Sequence, residues 1–100
     1  MERELDQDED LKELFGVIAR LRSVEECARF FRDLCTLTEL KAMSERWKVA
    51  QMVFDEMPYR RISRETGAST ATITRIAHWL HHGEGGYRMV LEKFKEKEGR

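Results

Sequence analysis

Hydroxyl side chains and one guanidinium are concentrated in residues 69–75, directly after Gly67. Serine, threonine and arginine side chains commonly bind the phosphates and base edges of nucleic acids. Ile73 and Ile76 lie three residues apart, so on a helix they share one face and can pack against Ile62, before the glycine. The other faces of that helix then present small and polar side chains: Thr70, Ala71, Thr72, Thr74, Arg75 and His78.

The glycine itself predicts a sharp corner between two helices. Glycine adopts positive φ without steric strain, and Ser69 offers a side-chain oxygen to the free amides of the following turn. We therefore predict a helix-turn-helix over residues 59–81, whose second helix, residues 70–80, enters the major groove of double-stranded DNA. The same spacing also fits a helical corner without DNA contact, because any tight helical hairpin can place a glycine between apolar pairs.

The charge distribution favours a phosphate-binding surface at this motif. The net charge of the chain is −1, but residues 58–82 carry four arginines against one glutamate. Residues 1–15 carry seven acidic side chains against two basic ones, so negative charge is concentrated at one end. A local excess of arginine attracts the phosphate backbone, although a run of charge is often only a solvated surface.

Other chemistry has little support in the sequence. His78, His81 and His82 have helical spacing, but no carboxylate or cysteine at ligand spacing joins them, so we predict no metal site. The sequence contains no glycine-rich phosphate loop, no nucleophile elbow and no carboxylate pair in an apolar setting. We therefore expect a protein that is not an enzyme and needs no cofactor.

Helices must position these residues, because the chain has one proline and no strand-like alternation. We expect an acidic tip, residues 1–10, to be disordered, with the first amphipathic helix starting near its end at Asp8. Ser23 and Glu26 have the spacing of a capping box, which predicts the start of a second helix.

The third helix is predicted to be the longest. Thr36 or Thr38 would cap its start, and it must end before Pro58, because proline disfavours helical geometry in the preceding residue. After the motif, a last helix is predicted from about Tyr87. The fold class is therefore all-α, with about six helices in a single DNA-binding and dimerisation domain over residues 11–97.

The first three helices are more hydrophobic than a monomer of this length needs. Two recognition helices about 34 Å apart would meet successive major grooves, so we predict a homodimer built on these three helices. A six-helix monomer is the alternative, and periodicity does not decide whether two subunits interlace.

Cys27 and Cys35 are too far apart for a disulfide within one helix, so we expect buried, small hydrophobic residues, with a redox role as the alternative. No apolar run approaches the length of a membrane span, and the acidic N-terminus does not match a signal peptide. These features favour a cytoplasmic protein with no membrane partner.

The run TGASTATITR at residues 66–75 is distinctive. Together with Arg46, Val49, Ala50 and Tyr59 before it and residues 83–87 after it, this run resembles the tryptophan repressor superfamily, and more closely its YerC/YecD-type members. The resemblance covers residues 11–92 and implies an all-α, intertwined homodimer that regulates transcription, as a repressor. It also implies that the second motif helix contacts DNA bases through Thr70, Ala71, Thr72 and Thr74. The first motif helix would contact the DNA backbone through Arg60 and Ser63.

The resemblance further implies a corepressor pocket. In ligand-dependent members, an arginine matching Arg75 pairs with the corepressor carboxylate, and one matching Arg46 stacks beside the indole. Ile76 stands where tryptophan-binding members have glycine, and Trp79 stands where they have a small serine. We hypothesise that Ile76 and Trp79 fill a vestigial pocket, so that L-tryptophan is not bound.

A helical adaptor that binds proteins and has lost DNA binding is the second functional class. Four arginines in the N-terminal third could bind acidic peptides: Arg20, Arg22, Arg29 and Arg32. The dependence of DNA affinity on salt concentration distinguishes the two classes, because counterion release makes the affinity of a DNA-binding protein fall steeply as salt rises. An adaptor would bind no duplex.

Overall fold

The computed structural model describes residues 7–98, which form six helices. They are α1 (Glu9–Ile18), α2 (Val24–Leu34), α3 (Leu37–Phe54), α4 (Tyr59–Thr66), α5 (Thr70–His82) and α6 (Gly86–Glu98). These described residues contain no strand, so the predicted all-α class is confirmed. Residues 1–6 of the predicted acidic tip lie outside the described part. Between residues 7 and 98, no helix is both long and apolar enough to cross a membrane.

Side-chain caps fix the starts of the first three helices. The Asp8 carboxylate accepts a hydrogen bond from the amide of Leu11 (3.0 Å), and the Ser23 hydroxyl accepts one from the amide of Glu26 (3.0 Å). The predicted cap at Thr36 is confirmed, because its hydroxyl accepts from the amide of Glu39 (3.0 Å). The Glu39 carboxylate in turn accepts from the amide of Thr36 (2.8 Å), which completes a capping box.

The described residues divide into two compact units, one up to Leu40 and one from Lys41 onward. In the described part of the first unit, residues 7–40, no side chain is fully buried. Phe15 is 50% exposed, Leu34 is 49% exposed and Val24 is 87% exposed. The apolar side chains of α1 and α2 are therefore left partly open to solvent by the chain itself.

The prediction that the two cysteines are buried is wrong. Cys27 and Cys35 are half-buried free thiols, and no side chain among residues 7–40 is fully buried. Cys35 is also the C-cap of α2 and has an extended backbone, so it does not continue the helical face that carries Cys27.

The second unit contains the hydrophobic core. Helix α5 packs against α4 on one side and α6 on the other, and α3 contributes its C-terminal half. The buried residues are Val49, Ala50, Val53, Ile62, Ala68, Ile73, Ile76, Ala77, Leu80 and Leu91. Beside this core, the Trp47 ring stacks on Tyr87 (centroids 6.4 Å apart) and meets the edge of Phe94 (5.8 Å), which ties α3 to α6.

The C-terminus of α3 ends in a Schellman motif with a glutamate in the left-handed position. The amide of Glu56 donates to the Val53 carbonyl (2.9 Å), and the amide of Met57 donates to the Met52 carbonyl (3.0 Å). Glu56 has φ +63, and it is the sole non-glycine residue with positive φ among residues 7–98. This conformation crowds the Cβ atom against the following carbonyl oxygen.

Replacing Glu56 by glycine is therefore expected to stabilise the protein by about 1 kcal/mol, because glycine has no Cβ to be strained there. Urea unfolding followed by circular dichroism measures the change. Glu45→Gly is the matched control: it makes the same substitution inside α3 and should instead destabilise by about 1 kcal/mol. Equal destabilisation by both variants would contradict the proposed strain at Glu56.

Candidate nucleic-acid interface

The turn between α4 and α5 is fixed by a glycine and a threonine. Gly67 has φ +81, as the sequence predicted, and its amide donates to the Ser63 carbonyl (2.8 Å). The Thr66 hydroxyl donates to the Ile62 carbonyl (2.7 Å) and accepts from the amide of Ala68 (3.1 Å). These bonds satisfy backbone groups on both sides of the turn, so the direction in which α5 starts is defined.

Ser69 caps α5 through two hydrogen bonds to a single residue. The amide of Thr72 donates to the Ser69 oxygen (3.1 Å), and the Ser69 hydroxyl donates to the Thr72 hydroxyl oxygen (3.0 Å). Thr72 is half-buried, whereas Thr70 and Thr74 are exposed. The Thr72 hydroxyl is therefore already engaged by the helix cap.

Burial of one side of α5 determines which residues face outward. Ile73 (0% exposed) and Ile76 (1%) lie in the core with Ile62 of α4 (0%), as the spacing predicted. Five exposed residues occupy the opposite side, and we call them the recognition face: Thr70, Ala71, Thr74, Arg75 and His78. Together with Trp79 they line an open groove of about 620 Å³.

A second groove, of about 480 Å³, lies between α3 and α5, and we call it the α3-side groove. The structure brings together here all four residues of the pocket that the resemblance implied. It is lined by Ala42, Glu45, Arg46, Thr72, Arg75, Ile76 and Trp79. Ile76 reaches it from the core, whereas the Trp79 side chain is 46% exposed at its rim. Trp79 is thus not the core residue that its apolar character could suggest.

Helix α4 carries three arginines in two different settings. Arg61 forms an ion pair with Glu65, with 2.7 Å between Nε and Oε2. Arg60 and Arg64 are exposed and have no ion-pair partner among residues 7–94, whose side chains the structure describes, while Ser63 is half-buried. Only the charges of Arg60 and Arg64 are therefore free to attract phosphate. The four-residue spacing of Arg61 and Glu65 could have revealed this pairing in the sequence.

The histidines at the end of α5 form a loose cluster. The rings of His78 and His82 lie 5.2 Å apart, and those of His81 and His82 lie 6.3 Å apart. Arg88 of α6, which no sequence pattern singled out, places its Nη2 3.3 Å from Nδ1 of His81. In the described part of the chain, no group of three or more histidine, cysteine, aspartate or glutamate side chains could hold a metal ion.

Comparisons with known proteins agree with this architecture. The family model described as "Trp repressor protein" matches residues 9–95. The uncharacterized protein YerC of Bacillus subtilis (strain 168) is 45% identical over 89 residues, which are 89% of this chain and 86% of the relative.

Two solved structures are similar to this chain. A TrpR-like protein from Eubacterium eligens ATCC 27750 has a TM-score of 0.87 and 37% identity, with 92% of this chain and 94% of the other covered. A candidate Trp repressor from Staphylococcus aureus has a TM-score of 0.86 and 41% identity, with 94% of both chains covered. The sequence resemblance is thus confirmed along nearly the full length, and the chain belongs to the Trp repressor family.

Proposed function

We propose that this protein is a cytoplasmic, homodimeric transcriptional regulator, acting as a repressor, that binds specific DNA sequences through α5. The observation that carries the proposal is the division of α5 into two sides. Its apolar side is sealed in the core, so the recognition face points away from the protein with hydroxyls, a guanidinium and an imidazole. These groups match the phosphates and base edges of a major groove.

The exposed apolar side chains of α1 and α2 support a dimer. Half-exposed residues such as Phe15 and Leu34 would gain burial against a second copy, and that burial would stabilise the assembly. In such a dimer, residues 11–97 act as a single DNA-binding and dimerisation domain. A two-fold arrangement would also place two α5 helices on one side of the duplex.

Selection of bound fragments from a genomic DNA pool tests this function most directly. We expect a palindromic site with half-sites about 10 base pairs apart, or a multiple of that spacing. Analytical ultracentrifugation of the complex should show two chains per site. Absence of any mobility shift at low ionic strength, for every duplex tried, would refute DNA binding and leave the adaptor class.

The exposed Arg60 and the ion-paired Arg61 predict different effects on the salt dependence of DNA binding. Arg60→Ala should weaken binding to all duplexes alike and lower the slope of log K against log salt by about 0.9 per subunit, because one phosphate contact is lost. Arg61→Ala removes the same charge from the same helix, but Glu65 already neutralises Arg61. Fluorescence anisotropy at several salt concentrations should therefore show a smaller change for Arg61→Ala. A reversed order would contradict this assignment.

We further propose that the α3-side groove does not bind L-tryptophan. Ile76 occupies core space beside this groove, and Trp79 already places an indole at its rim. Arg75 and Arg46 also line the groove and could attract a carboxylate, so the proposed exclusion of L-tryptophan rests on Ile76 and Trp79. Isothermal titration with L-tryptophan should give no saturable heat, and micromolar binding would refute the proposal.

A further inference from the structure

Trp79 differs from Trp47, the other tryptophan of the chain. The rings of Trp47 and Tyr87 stack on each other and are half-buried, and Phe94 meets the edge of Trp47. The indole of Trp79 is 46% exposed, and among the side chains of residues 7–94 it makes no ring contact. It lies on the ridge between two grooves, because it lines both the groove of the recognition face and the α3-side groove.

The surroundings of this indole indicate the chemistry of its ligand. Arg75 borders the same two grooves, and His78 lies beside Trp79 in the groove of the recognition face. An indole has an apolar ring and a single N–H donor, with no acceptor. An occupant that suits all three side chains carries negative charge next to an apolar surface. A phosphate with its attached deoxyribose has both properties.

The position of Trp79 along α5 specifies which part of DNA it could meet. Trp79 lies nine residues after Thr70, which is about 13 Å along the helix axis. Recognition helices meet base edges with their N-terminal residues, and the major groove is only about 8.5 Å deep. With the axis of α5 directed into the groove and Thr70 at the base edges, Trp79 therefore lies at the height of the sugar-phosphate backbone.

We propose that Trp79 is a backbone contact in the DNA complex. Its ring packs on a deoxyribose, and its Nε1–H donates a hydrogen bond to the adjoining phosphate. This inference rests on the proposed DNA-binding function. It adds Trp79 to the residues that were predicted from the sequence to contact DNA. The buried part of the same side chain still borders the α3-side groove, so the contact is compatible with exclusion of L-tryptophan.

Trp79→Phe tests the contact, because it keeps an aromatic ring and removes the N–H donor. We expect about tenfold weaker binding, equal for selected and random duplexes, since a hydrogen bond to a phosphate carries no base information. Trp47→Phe is the matched control: it makes the same substitution outside both grooves, and it should bind DNA with the affinity of the unmodified protein. Thermal melting of both variants establishes that they are folded.

Nuclear magnetic resonance of the unmodified protein provides an independent readout. The chain has two tryptophans and hence two indole N–H signals, and the signal missing in Trp79→Phe belongs to Trp79. Addition of DNA should shift the Trp79 signal strongly and the Trp47 signal little. If DNA binds while the Trp79 signal and the Trp79→Phe affinity stay unchanged, this inference alone is overturned. If the unmodified protein binds no duplex, the proposed function is overturned with it.

Discussion

Replacing Ile76 by alanine is expected to lower the free energy of unfolding by about 2–5 kcal/mol. The Ile76 side chain is 1% exposed and lies in the core together with Ile62 and Ile73. Its truncation removes apolar contacts between α5 and its neighbours and leaves a cavity where these helices meet. Urea unfolding at a fixed protein concentration measures the loss, since the stability of a dimer depends on concentration.

Ile76→Val provides a graded control for this prediction. It removes one methylene group and should cost about 0.5–1.5 kcal/mol. If Ile76→Ala lowers the free energy of unfolding no more than Ile76→Val does, Ile76 is not a core residue and the orientation of α5 must be different. The alanine variant also tests the pocket proposal, because it opens the space beside the α3-side groove. Calorimetry of this variant with L-tryptophan shows whether Ile76 alone excludes the ligand.

Replacing Thr74 by alanine should relax sequence preference in DNA binding by about 1–3 kcal/mol at one base position. Thr74 is exposed on the recognition face, where its hydroxyl and methyl groups can meet a base edge. Measured affinities for a selected site and for its single-base variants should converge in Thr74→Ala. Affinity for random duplex should change little.

Thr72→Ala provides the contrast within the same helix. The Thr72 hydroxyl accepts a hydrogen bond from Ser69, and the side chain lines the α3-side groove rather than the groove of the recognition face. We expect its loss to weaken binding similarly for every duplex, because the cap of α5 is loosened. If Thr72→Ala relaxes base preference as strongly as Thr74→Ala, both threonines read bases, as the sequence resemblance implied.

Local signals in the sequence were sufficient to predict most of the motif. A positive φ at Gly67 and a cap at Ser69 depend on single residues, and both are confirmed. The packing of Ile62 against Ile73 and Ile76 follows from helical periodicity, which determines the buried face once a helix forms. Caps and periodicity act within one or two turns, and for this reason they can be read from the chain directly.

Features that depend on side-chain direction or on distant chain segments could not be predicted. Thr70, Thr72 and Thr74 have the same residue type, and only the structure shows that Thr72 turns towards Ser69 and the α3-side groove. The burial of Cys27 was overestimated, because a helical apolar face becomes buried only when another surface covers it. Likewise, the apolar character of Trp79 gave no sign that half of its surface is open.

The confinement of the core to residues 49–91 of the described chain has a consequence for amide exchange with heavy water. Amides in the middle of α5, around Ile73 and Ile76, should be the slowest to take up deuterium, since their release requires the core itself to open. Helices α1 and α2 contain no fully buried side chain that would shield their amides. Their protection should therefore increase with protein concentration, so that deuterium uptake in these two helices reports subunit association.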